Sequence, residues 1–236
     1  TGSDTELILP AYYDTVTVDS QDYVVEKDTG TRITTIGSIA FNNCTGLTSV
    51  TIPSGVTSIG NNAFSDCSSL TTVTFAEDSQ LKSIGNSAFS FCSNLTEITL
   101  PSSLKSIGGG AFSSCSNLAT VTFAEGSQLE SIGSYAFRDC SNLTEITLPS
   151  SLKTIGSSAF FNCSNLTTVT IESDDIYKVA TSMNSAGYLL RSATTVKVPT
   201  SIVKANDNSY LENIFKFTTS FTISGSVEYT VFTKKV

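Results

Sequence analysis

Apolar residues return along this chain in a fixed order that no single helix or strand period explains. Between Leu95 and Cys115, Leu95, Ile98 and Leu100 frame Glu97 and Thr99. That is the period of two expected of a half-buried strand over about 96–100. Pro101 ends the strand, because proline cannot donate to a continuing ladder. Leu104 and Ile107 are the next anchors, and Gly108 is read as the residue whose backbone freedom the bend requires. Residues 109–115 then predict one helical or 3₁₀ turn, with Ala111, Phe112 and Cys115 facing inward.

The same order occurs six times, from Ile36-Gly37, Ala40-Phe41 and Cys44 to Ile155-Gly156, Ala159-Phe160 and Cys163. The cysteines are Cys44, Cys67, Cys92, Cys115, Cys140 and Cys163, so a shorter and a longer spacing alternate along the chain. A unit this short cannot bury its own apolar face and must stack on copies of itself. The expected fold is therefore an α/β solenoid, with a parallel sheet on one face and short helical turns opposite. Its thin core is a set of ladders, of which Phe41, Phe64, Phe89, Phe112, Phe137 and Phe160 form one. The alternating period has a local cause. Connections such as Leu100-Pro101-Ser102-Ser103-Leu104 are short, whereas Phe75-Ala76-Glu77-Asp78-Ser79-Gln80-Leu81 and its copy from Phe123 to Leu129 are longer and project acidic groups. The unit of duplication is read as a pair of coils, one short and one long.

Three regions follow. Residues 1–32 lack the repeat and read as an N-terminal cap, with strands at Thr15–Val18 and Tyr23–Val25 and a turn at Asp28-Thr29-Gly30. Residues 33–173 are the repeats. Residues 174–236 read as a C-terminal capping region: a helix over about 176–190, a degenerate coil from Thr195 to Val203, and a β-hairpin around Ser224-Gly225-Ser226.

The pattern L-x-x-[IV]-x-[ILF]-(P), then [VL]-x-x-I-G-x-x-A-F-x-x-C, resembles the BspA-like leucine-rich repeats of bacterial and some protist surface proteins. The resemblance covers about 33–173. It implies a curved, right-handed leucine-rich-repeat solenoid, secreted or displayed at the cell surface, that adheres to host proteins or to other cells. It brings no catalytic residues with it.

Composition narrows the remaining classes. A net charge of −8 over 236 residues argues against binding a phosphate backbone, so no nucleic-acid partner is expected. No apolar stretch approaches the ~18–20 residues of a membrane helix, so no membrane insertion is expected either. The start at Thr1-Gly2-Ser3-Asp4 reads as a trimmed end, and the lack of a leader there says nothing of destination. With no histidine, triads and His-ligated zinc are excluded, and no cofactor or metal is expected. The six cysteines share one slot of the repeat, where parallel Cβ vectors suit a disulfide poorly, so they read as small buried thiols.

Candidate chemistry lies on the outward strand positions. One slot reads Ser49, Thr72, Glu97, Thr120, Glu145, Thr168, and the next is threonine throughout: Thr51, Thr74, Thr99, Thr122, Thr147, Thr170. Threonine favours strands and carries no charge, so sheet stability is the plain reading. The functional reading is a ligand face formed by Thr74, Glu97, Thr99, Thr120, Thr122, Glu145, Thr147 and Thr170. Its expected partner is a host or neighbouring-cell surface or matrix protein, or a glycan, bound by a monomer. Competing readings are a spacer that presents another domain, an ice-binding threonine ladder, and a glycan-active enzyme using Glu97 and Glu145, which strand spacing sets roughly 10 Å apart. The glycosylation sequons at Asn43, Asn94, Asn142, Asn162 and Asn165 arise from the repeat's own S-N-L-T and read as polar turns. The acidic residues Glu77, Asp78, Glu125, Glu172, Asp174 and Asp175 lack calcium-loop spacing and read as solvated charge.

Overall fold

The computed structural model describes residues 6–8, 12–18, 23–173, 194–199, 221–225 and 229–234. Strand β1 (Glu6–Ile8) comes first, and β2 (Tyr12–Val18) then pairs antiparallel with β3 (Tyr23–Arg32). From there each coil contributes a two-residue and a four-residue strand. These are β4 (Thr35–Ile36) and β5 (Ser49–Ile52), β6 (Ser58–Ile59) and β7 (Thr72–Phe75), β8 (Ser83–Ile84) and β9 (Glu97–Leu100). The series continues with β10 (Ser106–Ile107) and β11 (Thr120–Phe123), β12 (Ser131–Ile132) and β13 (Glu145–Leu148), β14 (Thr154–Ile155) and β15 (Thr168–Ile171). Strand β16 (Thr195–Pro199) extends the stack in parallel beside β15, and the antiparallel pair β17 (Phe221–Gly225) and β18 (Tyr229–Lys234) closes against it through β18.

The result is a solenoid of six leucine-rich coils whose short strands form one continuous parallel sheet of six. In the four-residue strands the alternation expected from the sequence is observed: Ile98 and Leu100 are buried while Glu97 and Thr99 are exposed. The phenylalanine ladder is a stack from Phe41 to Phe160, with centroids 5.0–5.3 Å apart and rings within 11° of parallel.

Three expectations from the sequence are corrected. The turns opposite the sheet are not helical, and no helix occurs among the described residues. Each turn holds two residues in the left-handed region, for example Asn62 at φ 54° and Asp66 at φ 63°. A residue of positive φ at every fourth place breaks any helix. It also turns alternate N–H groups out of the coil: Asn62, Phe64 and Asp66 donate to Asn86, Ala88 and Ser90 of the next coil at 2.7–2.9 Å, while Ala63, Ser65 and Cys67 donate back three residues at 3.2–3.4 Å. The turns are thus knitted between coils. The second correction concerns the segment Asp28-Thr29-Gly30, which lies within β3; the pairing jumps from Tyr12↔Arg32 to Tyr13↔Lys27, so these turn-type residues are taken up as a bulge. The helix expected over 176–190 lies outside the described residues.

The repeat glycine serves space and not positive φ. A Cβ on Gly133 would lie 2.5 Å from the amide nitrogen of Gly109 in the preceding coil, and one on Gly108 2.6 Å from that of Asn86. Gly37, in the first coil, has nothing within 4 Å of that position. Gly133→Ala is accordingly expected to destabilise by about 3 kcal/mol, at the upper end of overpacking because backbone must move. Gly37→Ala should change stability by less than ~0.5 kcal/mol. Urea unfolding of the two variants side by side checks this, and equal losses would contradict it.

Each cysteine after the first donates its thiol to the Phe carbonyl of the preceding coil, at 3.0–3.2 Å from Cys67→Phe41 through Cys163→Phe137. The same carbonyl also accepts its own coil's cysteine N–H at 3.3–3.4 Å. None of the six cysteines forms a disulfide, and only Cys44 is more than slightly exposed.

Candidate functional site

The outward face of the four-residue strands is not one sheet. Ladders join β5 to β7, β9 to β11 and β13 to β15, each over four residue pairs. Between β7 and β9, and between β11 and β13, no ladder pairs the described residues. The coils therefore lie in pairs along this face, although the short strands behind them pair without a break.

Proline contributes to the break. After a paired strand, the next N–H reaches back to the preceding coil: Ala76 to the carbonyl of Ile52 at 2.9 Å, Ala124 to Leu100 at 3.0 Å, Glu172 to Leu148 at 2.9 Å. At the two openings the equivalent residues are Pro101 and Pro149, which have no N–H to give to Phe75 and Phe123. The long loops meanwhile lean backward, with Gln80 donating to the carbonyl of Ser54 and Gln128 to that of Ser102, both at 2.9 Å. Strand β5 is likewise followed by Pro53, and β1 pairs with it at Glu6↔Ser49, Leu7↔Val50 and Ile8↔Thr51.

Each opening is a groove. The first, about 480 Å³, lies between Thr72–Phe75 and Glu97–Thr99, and Asp78, Pro101 and Ser102 complete its rim. The second, about 380 Å³, lies between Thr120–Phe123 and Glu145–Thr147, with Glu125, Pro149 and Glu172 at its rim. Of the residues singled out from sequence, Thr74, Glu97 and Thr99 meet at the first groove, and Thr120, Thr122, Glu145 and Thr147 at the second. Thr170 joins neither: it is half-buried, paired between Thr147 and Lys197.

Three kinds of groove residue escape a slot-by-slot reading. Phe75 and Phe123 are half-buried on the groove floor, where the other coils place a fully buried Ile52, Leu100, Leu148 or Ile171. Asp78 and Glu172 stand on the rims, and the two prolines define the lips. The signal available for Phe, Glu and Pro was recurrence in every second coil: Phe75 and Phe123, Glu97 and Glu145, Pro101 and Pro149.

Electrostatically the grooves are one-sided. Asp78, Glu97, Glu125, Glu145 and Glu172 are exposed, and no Lys or Arg lines either groove. The ion pairs Arg138–Asp139 and Lys153–Glu130, both at 3.0 Å, lie elsewhere. Among the described residues no three carboxylates or thiols converge as a metal site would require, and no helix is long and apolar enough to cross a membrane. The side-chain amides of Asn94, Asn117 and Asn142 form a hydrogen-bonded row with 3.5 Å contacts, a polar ladder along the turns.

The turn face differs in character. Ile39, Phe91 and Tyr135 are 62%, 54% and 46% exposed, and all three occupy left-handed slots that other coils fill with Asn, Asp, Ser or Gly.

Comparison with known proteins gives a consistent picture. The family model of the BspA type leucine rich repeat region matches in six copies, over residues 26–128 and 125–234. Among solved structures the chain is similar to the pneumococcal vaccine antigen PcpA, with 36% identity and a TM-score of 0.58 over 70% of this chain. It spans 40% of that antigen's chain. It is also similar to a leucine-rich repeat protein of T. pallidum, with 28% identity and a TM-score of 0.61, covering 81% of this chain and 87% of the other. No curated protein matches the sequence.

Proposed function

The chain belongs to the BspA-type leucine-rich-repeat family, and from that premise we propose that it is a non-catalytic binding module whose strand face adheres to a protein or glycan of a host or neighbouring cell. The observation that carries this reading is the grooved face itself. Two openings of similar lining recur one coil pair apart, and they gather exposed threonines and carboxylates over a half-buried aromatic floor. Catalysis finds little support there. The carboxylates are exposed on an open face, with no enclosed cleft around a pair of them to shield a reacting group from water. Likeness to a pneumococcal vaccine antigen supports a place outside the cell, secreted or at its surface.

The test is binding of the purified chain to arrayed extracellular-matrix proteins and glycans at physiological salt. A saturable interaction is expected, weakened at least tenfold by the double substitution Thr99→Arg and Thr147→Arg. Both sites are exposed, so Tm should stay within a few degrees. Phe91→Ser, on the turn face, should bind as the parent does. Loss with Phe91→Ser and retention with the arginine pair would move the site to the turns and overturn the proposal. A folded protein that binds nothing would favour the spacer reading.

A further inference from the structure

The turns opposite the sheet follow a common solution, and one place departs from it. The slot after the core phenylalanine holds Asn or Ser in the first four coils, and Arg138 and Phe161 in the last two. Tyr135 lies beside them in a left-handed slot, at φ 59°, which Asn62, Ser87, Gly110 and Ser158 fill in other coils. Tyrosine seldom adopts that conformation, whereas Asn and Gly do so readily. The core needs neither Tyr135 nor Arg138, since each side chain stays about half exposed. They nevertheless assemble. The Arg138 guanidinium lies 5.9 Å from the ring centre of Tyr135 in its own coil and 5.9 Å from that of Phe161 in the next. Its Nε pairs with one oxygen of Asp139 at 3.0 Å, and the other oxygen accepts the side-chain N–H of Asn162 at 2.7 Å. Two neighbouring coils thus present a guanidinium flanked by two aromatic rings and edged by a carboxylate and an amide.

We infer that this cluster is a binding site for one uncharged pyranose unit of a glycan. The inference goes beyond the adhesive reading above, which places its ligand on the strand face. The occupant follows from charge, size and the mix of groups. Arg138 and Asp139 cancel, so the cluster holds no net charge to select an anion or a cation. Its few side chains fall far short of the roughly 20–30 residues that each partner brings to a stable protein interface. A single sugar ring matches its extent. A pyranose is also amphipathic in the same way as the cluster. One face presents C–H bonds, whose partial positive charge suits the negative π face of an exposed ring such as Tyr135. Its rim presents adjacent hydroxyls that both donate and accept. The guanidinium donates in a fixed fork, Asp139 accepts, and the amide of Asn162 can do both. The ring contacts and the ion pair hold these groups in place before a ligand arrives, which lowers the ordering cost of binding. A ligand of about a dozen heavy atoms, at the efficiency usual for drug-sized molecules, binds with a Kd on the order of 1 mM.

The probes are the methyl glycosides of glucose, galactose, mannose and N-acetylglucosamine, titrated into the whole chain and followed by saturation-transfer NMR. At least one is expected to bind in the millimolar range. Tyr135→Asn installs the residue that the second coil carries at this slot, Asn62. It should keep or raise Tm, because asparagine favours the left-handed region, yet weaken sugar binding at least tenfold. Arg138→Ser, matching Ser113 of the fourth coil, should weaken binding at least fivefold with the fold intact. Phe91→Ser, which removes an exposed ring elsewhere on the turns, should bind within about twofold of the parent, as should the Thr99/Thr147 arginine pair on the strand face. Methyl glucuronide, the glucoside ring with a carboxylate added, should bind no more tightly than the glucoside. Silence of all four glycosides at about a hundred times the expected Kd would overturn the inference, as would parent-like binding by Tyr135→Asn. Equal weakening by Phe91→Ser would reduce the effect to general adhesion of aromatic groups and overturn it too. Tighter binding of the glucuronide at low salt would show the guanidinium acting as a bare charge, and the uncharged assignment would fall. Loss with the arginine pair alone would return the sugar to the strand face, leaving the proposed function standing and this site refuted.

Discussion

Raising the pH above 9 is expected to unfold this protein cooperatively, over a range where an ordinary acidic domain changes little. The cause is the thiol ladder. Burial pushes Cys92 and Cys163 up to about 12 from an ordinary value of 9.0, against the smaller lowering effect of the main chain of Cys67 and Cys140 in the preceding coils. Burial likewise lifts Cys115 and Cys140 well above 9.0. Cys67 is raised too, first by its hydrogen bond with the Cys44 thiol and then by burial. The sign follows from linkage. Each thiol's folded pKa exceeds its unfolded value, so its contribution is complete below pH 9 and is lost as pH climbs toward the folded value. In that window the unfolded chain has released protons that the folded one retains. Each thiol then removes about 1.4 kcal/mol of stability per pH unit. Four of them together remove about 5–6 kcal/mol per unit, enough to exhaust a total of ~5–15 kcal/mol within one to three units. Urea midpoints measured from pH 7 to 11 check this. A double variant, Cys92→Ala with Cys163→Ala, should start lower and fall distinctly less steeply. A flat profile to pH 10.5, or an unchanged slope in the variant, would contradict the account.

Phe112→Ala is expected to lower stability by about 3–5 kcal/mol. The ring is fully buried and stacked on both sides, 5.3 Å from Phe89 and 5.3 Å from Phe137, with planes within 5°. Truncation leaves a void in the middle of a continuous stack, and neither neighbouring coil can collapse into it without breaking its own turn-to-turn hydrogen bonds. A solenoid holds together through nearest-neighbour contacts, so a defect at the centre weakens two interfaces at once. Phe91→Ala, at an exposed turn position, should cost less. Denaturant unfolding of the two variants tests the ordering, and a reversed order would sink it.

Much of this architecture was legible in the sequence because one signal is repeated six times. Period-two alternation in Leu95–Leu100 marks the strand, and Phe and Cys at fixed offsets mark the inward side of the turn. What escaped did so for physical reasons. The turn backbone was misread because Asn62, Asp66 and Gly110, which favour the left-handed region, share their slots with Ile39, Phe91 and Tyr135, which do not. Gly108 was assigned to backbone freedom because the letter G fits equally well with close approach, and only the neighbouring coil distinguishes the two. Strand β1 is three residues without a pattern of its own, and its partner β5 lies beyond β2, β3 and β4 in the chain. The grooves were the largest omission. Pro101 reads as the end of its own strand, whereas its consequence falls on the carbonyl of Phe75 in the coil before. Such an effect appears only when two coils are considered together. Thr170 was grouped with the other threonines because the degenerate coil that covers it, through Lys197, does not repeat the consensus.

The measurement that tests the two open ladders most directly is residue-resolved amide hydrogen exchange on the free protein. The account predicts that in β7, β9, β11 and β13 the amides pointing toward a paired neighbour are protected, while those pointing into an opening exchange fast. In β15, held between β13 and β16, protection should extend along the strand. Uniform protection from β5 through β15 would mean a closed sheet with no grooves, and would contradict the site.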